Sequence, residues 1–304
     1  MRKLALCAAL VALASTASLH AADAPKGKIL YSRKSGEQCR LHVMNADGTE
    51  DKELPGQTAN VNFYGIWSPD GKRIAFTSGD EVASVNQSVI LCNADGGGAR
   101  TVTTPGTRSG LAVWSPDGKQ LALISGGQDG SNLYLGDADG NNLRQVSQEG
   151  EGAIFPFWIG DGSRLYYTRI NRQERKSDIV SVKPDGTDSQ VLFAGENVVA
   201  VSAGGVSPDG KKLLYAQIDP MANQMSFKMR TLADSSETVL VEAPFVGGRK
   251  ALASFAFASW AADGKSFVAS FPTDKGIGIF RFNADGSGKT RITPEGTDCF
   301  GPTL

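Results

Sequence analysis

Carboxylates are the one chemically active side chain this sequence supplies in quantity, and their spacing repeats. Asp70, Asp117, Asp161, Asp209 and Asp263 each stand three residues after Trp67, Trp114, Trp158, Val206 or Trp260. Each is followed by a glycine: Gly71, Gly118, Gly162, Gly210 and Gly264. Asp47, Asp95, Asp139, Asp185, Asp234 and Asp285 form a second recurring set. A pair of carboxylates serves glycoside hydrolysis as acid and base or nucleophile. An active site needs one such pair, whereas the two sets together hold 5 + 6 = 11 aspartates, which answers a demand of the backbone. Glu149, Glu151 and Glu174 lie outside the repeats and are the carboxylates left for a glycan hydrolase or lyase. Asp137, Asp139 and Asn141 imitate the start of a calcium loop, but Gly140 comes at its fourth position rather than its sixth.

Other chemistries lack their residues. The two histidines are His20, near the N-terminus, and His42, alone in a strand-like segment. A serine triad would have to use His42, and no G-x-S-x-G elbow accompanies any serine. The histidine-rich metal site of pectate-degrading propeller lyases has no counterpart, and no Cys/His spacing suits zinc. No catalytic residue, metal or cofactor is expected, and a noncatalytic protein is the leading reading.

The recurring aspartates belong to turns between strands. The phrases WSPDGKRIAF, WSPDGKQLAL, WIGDGSRLYY, VSPDGKKLLY and WAADGKSFVA start 47, 44, 48 and 54 residues apart. In Ser68-Pro69-Asp70-Gly71 the proline presets φ, the serine oxygen caps the turn and the glycine accepts a positive φ. Interleaved NADG-type turns, such as those ending at Gly48, Gly96, Gly140, Gly186 and Gly286, mark a second hairpin in each unit. Alternation in segments such as RIAFTS predicts half-buried strands. Four strands per unit of 45 to 50 residues predict an all-β, six-bladed β-propeller of four-stranded antiparallel blades. The first blade begins at KILYSR without a preceding strand, and residues 297–304 are left over at the other end. The C-terminal strand is therefore expected to complete blade 1 and close the ring, removing its open edges.

The termini and composition set the compartment. Arg2 and Lys3 precede an apolar run, Leu4 to Leu13, and then small residues, the layout of a secretory signal peptide over residues 1–24. Residues 25–304 then form the propeller, exported to the periplasm or secreted, with no later membrane span. Cleavage removes two of 31 basic residues and none of 32 acidic ones, so the mature net charge is 29 − 32 = −3. Without a basic tract, nucleic acid is not an expected partner. A monomer is expected. Cys39 and Cys299 fall in blade 1, and a disulfide between them would staple the ring in an oxidising compartment.

Both turn families emerge on one face of such a ring, so the variable connections emerge on the other. These include residues 79–88, 169–177, 219–226 and 245–255. Arg169, Arg172 and Arg175 mark the most charged of them, and Phe63, Tyr64, Phe155, Phe157 and Phe245 place aromatic groups near the same rim. Charge around aromatic anchors is the composition of a protein-binding surface.

The W-S-P-D-G-K/R-x-I/L-A/Y-F phrase at Trp67–Phe76 and Trp114–Leu123, with the NADG turns, resembles the repeat of the TolB-type family of exported propellers. The resemblance spans about residues 28–304. It implies an envelope or secreted protein or peptide as partner, a peptidoglycan-associated one among them. It also implies a scaffold or an accessory subunit of an envelope complex. The α/β domain that precedes the TolB propeller is not expected here.

Overall fold

The computed structural model describes residues 27–80, 86–102, 104, 108–127, 130–148, 152–171, 176–196, 198–200, 205–219, 222–244 and 257–304. The expected signal segment lies outside them. The described elements are all β. One group of strands comprises β1 (Lys28–Ser35), β2 (Gln38–Asn45) and β3 (Lys52–Glu53). A quartet follows: β4 (Val61–Trp67), β5 (Arg73–Gly79), β6 (Gln87–Asn93) and β7 (Arg100–Thr101). The next is β8 (Arg108–Trp114), β9 (Gln120–Gly127), β10 (Gly130–Asp137) and β11 (Arg144–Gln145). Then come β12 (Ala153–Trp158), β13 (Leu165–Asn171), β14 (Lys176–Val182) and β15 (Gln190–Glu196). After these stand β16 (Val198–Ala200), β17 (Lys212–Asp219), β18 (Gln224–Thr231) and β19 (Glu237–Pro244). The last are β20 (Ala258–Trp260), β21 (Ser266–Thr273), β22 (Gly276–Asn283), β23 (Thr290–Arg291) and β24 (Asp298–Thr303).

The molecule is an all-β propeller, but its hydrogen bonding does not divide it into six separate blades. Four four-stranded sheets stand alone, and the remaining strands form one eight-stranded sheet in the order β24-β1-β2-β4-β5-β6-β7, with β3 on β2. The cause is local. A parallel pairing of Cys39 with Val61 ties β2 to β4, and the Cys39 N–H donates to Asn60 O at 3.0 Å.

The chain's last strand pairs with its first. In the β1–β24 ladder Ser32 faces Phe300 and Arg33 faces Cys299. Thr303 Oγ1 donates to Gly65 O at 3.0 Å, and the Leu304 N–H donates to Ser259 Oγ at 3.2 Å. The C-terminal strand thus touches β4 of its own sheet and β20 of the neighbouring one.

The inner strands are buried more completely than alternation implies. Ile74, Ala75, Phe76 and Thr77 of β5 are consecutive and all buried, as are Leu165 to Thr168 of β13. Each sheet is sandwiched between two others, so both its faces are interior. Trp114 packs with Ala75, Val89 and Leu91 of the preceding strands, and Trp67 with Leu30 and Leu41. The recurrent tryptophan fills the wedge between neighbouring sheets.

Candidate functional site

The SPDG turns commit their aspartates to the backbone. In the β4–β5 turn, Ser68 Oγ donates to Asp70 Oδ1 at 2.6 Å and the Lys72 N–H to the same oxygen at 3.1 Å. The Gly71 N–H closes the turn on Ser68 O at 2.8 Å, at φ 66°, where a side chain would be strained. Ser115 with Asp117 and Ser207 with Asp209 repeat the 2.6 Å contact. Where the first serine is missing, Ser163 Oγ donates to Asp161 at 2.6 Å. Asp263 accepts the Lys265 N–H at 2.9 Å. Serine hydroxyls hold Asp70, Asp117, Asp161 and Asp209 below the usual carboxylate range. A carboxylate held ionised in this way is poorly suited to act as a general acid near neutrality.

The calcium-like segment is also a turn. Asp137 Oδ1 accepts the Asp139 N–H at 3.0 Å and the Asn141 N–H at 2.9 Å. Among the described residues, no group of three His, Cys, Asp or Glu side chains could hold a metal ion. His42 Nδ1 lies 2.9 Å from Asp51 Oδ1. Tyr31 Oη donates to that carboxylate at 2.7 Å and Arg33 at 3.0 Å, so His42 belongs to a network that fixes the β2–β3 connection.

Cys39, Cys92 and Cys299 are all buried free thiols, so the expected Cys39–Cys299 disulfide is absent. Strand order supplies the reason. Cys39 on β2 faces Lys34 of β1, while Cys299 on β24 faces Arg33 on the other edge of β1. Two strand spacings, about 9.5 Å, separate the flanking strands. A disulfide spans Cα atoms only up to about 7 Å apart. Burial pushes the Cys39 thiol up to about 12.

The aromatic residues expected at the rim lie inside. Phe63, Tyr64, Phe155 and Phe157 are all buried, and Phe157 stacks on Tyr166 at 5.2 Å. Arg169 is partly buried, with its guanidinium 2.7 Å from Asp178 on the neighbouring strand. Arg172, Arg175 and Phe245 lie outside the described residues.

The reason for this burial is a backbone device shared by the innermost strands. Tyr64, Leu111 and Phe155 have φ of 54°, 54° and 51°. They fall where the ladders slip, between Phe63 and Ile66, Gly110 and Val113, and Ile154 and Phe157. Each stands three residues before Trp67, Trp114 or Trp158. Phe257 holds the same offset from Trp260, and Gly301, at φ 62°, holds it from Leu304. Three of these side chains meet. The Tyr64 and Phe257 ring centroids are 4.1 Å apart, and those of Phe155 and Phe257 5.2 Å. Tyr64 of β4, Phe155 of β12 and Phe257, just before β20, are far apart in sequence and pack together toward the ring's axis. Tyr64 Oη is buried there without a hydrogen-bond partner among the described residues. Phe257 is not marked out by residue type alone, and only its offset from Trp260 aligns it with Tyr64 and Phe155.

These features agree with the proteins that the chain resembles. A family model for the TolB beta propeller domain matches residues 23–248. Dipeptidyl-peptidase 5 of Porphyromonas endodontalis is 28% identical over 117 residues, 37% of this chain. That match spans only 16% of the peptidase's length. Among solved structures, TolB from Acinetobacter baumannii aligns with a TM-score of 0.72 at 17% identity, over 92% of this chain and 67% of that one. An oligogalacturonate lyase in complex with manganese aligns with a TM-score of 0.55 at 15% identity, over 83% of this chain and 73% of that one. At these identities the likeness to the solved structures is one of fold, which scaffolds and enzymes share.

Proposed function

The chain belongs to the TolB beta propeller domain family, and on that premise we propose that it is an exported, noncatalytic scaffold. It binds a protein or peptide through the face opposite its SPDG and NADG turns. The observation that carries this reading is the commitment of the repeated aspartates to their own turns, with Asp70, Asp117 and Asp209 each 2.6 Å from a turn serine.

In this reading residues 1–24 are a cleaved signal peptide and residues 25–304 act as a monomeric propeller in the periplasm or outside the cell. Among the described residues, no helix is long and apolar enough to cross a membrane. The partner is an envelope or secreted polypeptide, with a peptidoglycan-associated protein as the first one to try. Arg172 and Arg175, with Phe245, remain the proposed contact residues on that face. Phe63, Tyr64, Phe155 and Phe157 are buried and act in this reading as interior packing.

Capture from an envelope extract tests the reading, with residues 25–304 immobilised and the retained proteins identified. The expected result is a specific partner that is lost on the double change Arg172→Glu and Arg175→Glu. The same partner should be kept on Lys119→Glu, at an exposed turn-face lysine. Turnover of oligogalacturonate or another glycan, with no partner retained, would replace this reading by a carbohydrate-active one using Glu149, Glu151 or Glu174. Those three residues lie outside the described set.

A further inference from the structure

Two equivalent slots between neighbouring sheets are filled differently. The first lies between the β4–β7 strands and the β8–β11 sheet. Arg73, six residues after Trp67, reaches across it. Its guanidinium sits 5.4 Å from the Trp114 ring centroid. Nη1 donates to Ala138 O at 3.2 Å and to Asp139 Oδ1 at 2.8 Å. The protein's own arginine thus stacks on a tryptophan and pairs with a turn carboxylate.

The second slot lies between the β16–β19 and β20–β23 sheets, and Lys212, six residues after Val206, holds the place of Arg73. Trp260 and Ala284 stand 24 residues apart, as Trp114 and Ala138 do. Lys212 Nζ donates to Ala284 O at 3.0 Å, which reproduces one contact of Arg73. An ammonium is a compact point charge and does not fill the space of a planar guanidinium. A cavity of about 280 Å³ remains, lined by Pro208, Asp209, Lys212, Trp260 and Asp263. This is near the lower end of small-molecule sites, about 300 Å³, and leaves room for a planar guanidinium. Asp209 and Asp263 stand with Lys212 in the lining, and Lys211 Nζ lies 3.8 Å from Asp209 Oδ2. The Oδ1 atoms of Asp209 and Asp263 serve their turns, and the second oxygen of Asp263 is the one placed to meet a cation.

We propose that this slot receives an arginine side chain from a bound polypeptide. Its guanidinium would lie against Trp260 and beside Asp263. The site is on the turn face and is distinct from the variable face assigned above, and its test needs no knowledge of the natural partner. N-acetyl-arginine amide is titrated into the full chain while the indole N–H resonances are followed by NMR. The Trp260 signal is assigned by its loss in Trp260→Phe. The expected result is a saturable shift of the Trp260 signal alone, absent with the uncharged isostere N-acetyl-citrulline amide. Lys212→Arg, which supplies the slot with its own guanidinium, should weaken binding by about tenfold or more. Asp263→Asn keeps an oxygen for the Lys265 N–H, and it should weaken binding severalfold with the melting temperature unchanged. No saturable shift, an equal response to the citrulline compound, or unchanged binding in Lys212→Arg would each overturn the proposal.

Discussion

The turn-bearing face and the centre of the ring are both built on repeated positions, yet they repeat different things. On the face the residue recurs: aspartate and then glycine, closing the same hydrogen bonds at Asp70, Asp117 and Asp209. In the centre only the backbone recurs. The left-handed conformation returns at Tyr64, Leu111, Phe155 and Gly301, while the side chain changes each time. A turn answers a local demand, so one solution serves every unit. The axis is a single place shared by all the sheets, and each must present a different shape to the others there. Recurrence of residue type therefore marks local structure, and recurrence of conformation with varied residues marks tertiary fit.

Substitution should separate the two regions. Phe257→Ala leaves a cavity between Tyr64 and Phe155, and denaturant unfolding should show a loss of about 3–5 kcal/mol. A loss below about 1 kcal/mol would mean that the axis is not packed as described. Tyr64→Phe keeps the ring but removes a buried hydroxyl that has no partner among the described residues. Stability should rise by about 1 kcal/mol, and a fall of that size would reveal an unseen partner for Tyr64 Oη.

A change on the face should cost less. Asp70→Ala removes two hydrogen bonds from one turn, at an expected cost of about 0.5–1.5 kcal/mol. Its effect should add to that of Asp117→Ala, since each turn is closed by its own residues.

The smallest expected effect per residue is that of pH. Asp70, Asp117, Asp161 and Asp209 have folded values below the ordinary one, each through a serine hydroxyl. An aspartate with a lowered folded value stabilises the fold above its unfolded value, near 3.9, and loses that contribution as pH falls through the folded value. Stability should be insensitive to these groups from neutrality to about pH 5 and then decline in acid. The decline should be shallower in a chain carrying Asp70→Asn and Asp117→Asn. An equally steep decline would place the acid-labile groups elsewhere.

Much of the turn-bearing face was legible in the sequence. Pro69, Asp70 and Gly71 specify their turn within four residues, and no distant contact is needed to predict it. Pairing of the last strand with the first was also legible, because KILYSR lacks an inner neighbour and residues 297–304 lack a role. What escaped depends on distance between chain segments. The Cys39–Cys299 disulfide fails because β1 lies between the two strands, a matter of spacing that composition does not carry. The Cys39–Val61 pairing that merges eight strands into one sheet is likewise a single tertiary contact. Half-buried alternation was the wrong expectation for β5, since sheets on both sides bury Ile74 through Thr77. Phe63 and Phe155 appeared to be anchors at a rim because an aromatic group near a loop has the same sequence whether it faces out or toward the axis.

The central claim is that the envelope partner engages the variable face and leaves the turns around residues 68–71 and 115–118 uncovered. Hydrogen–deuterium exchange on the chain, with and without the partner captured from the envelope, tests it most directly. Protection is predicted in peptides covering residues 79–88, 169–177 and 245–255, with none gained at the turns around residues 68–71 and 115–118. Protection confined to those turns, with the variable connections unchanged, would contradict the account.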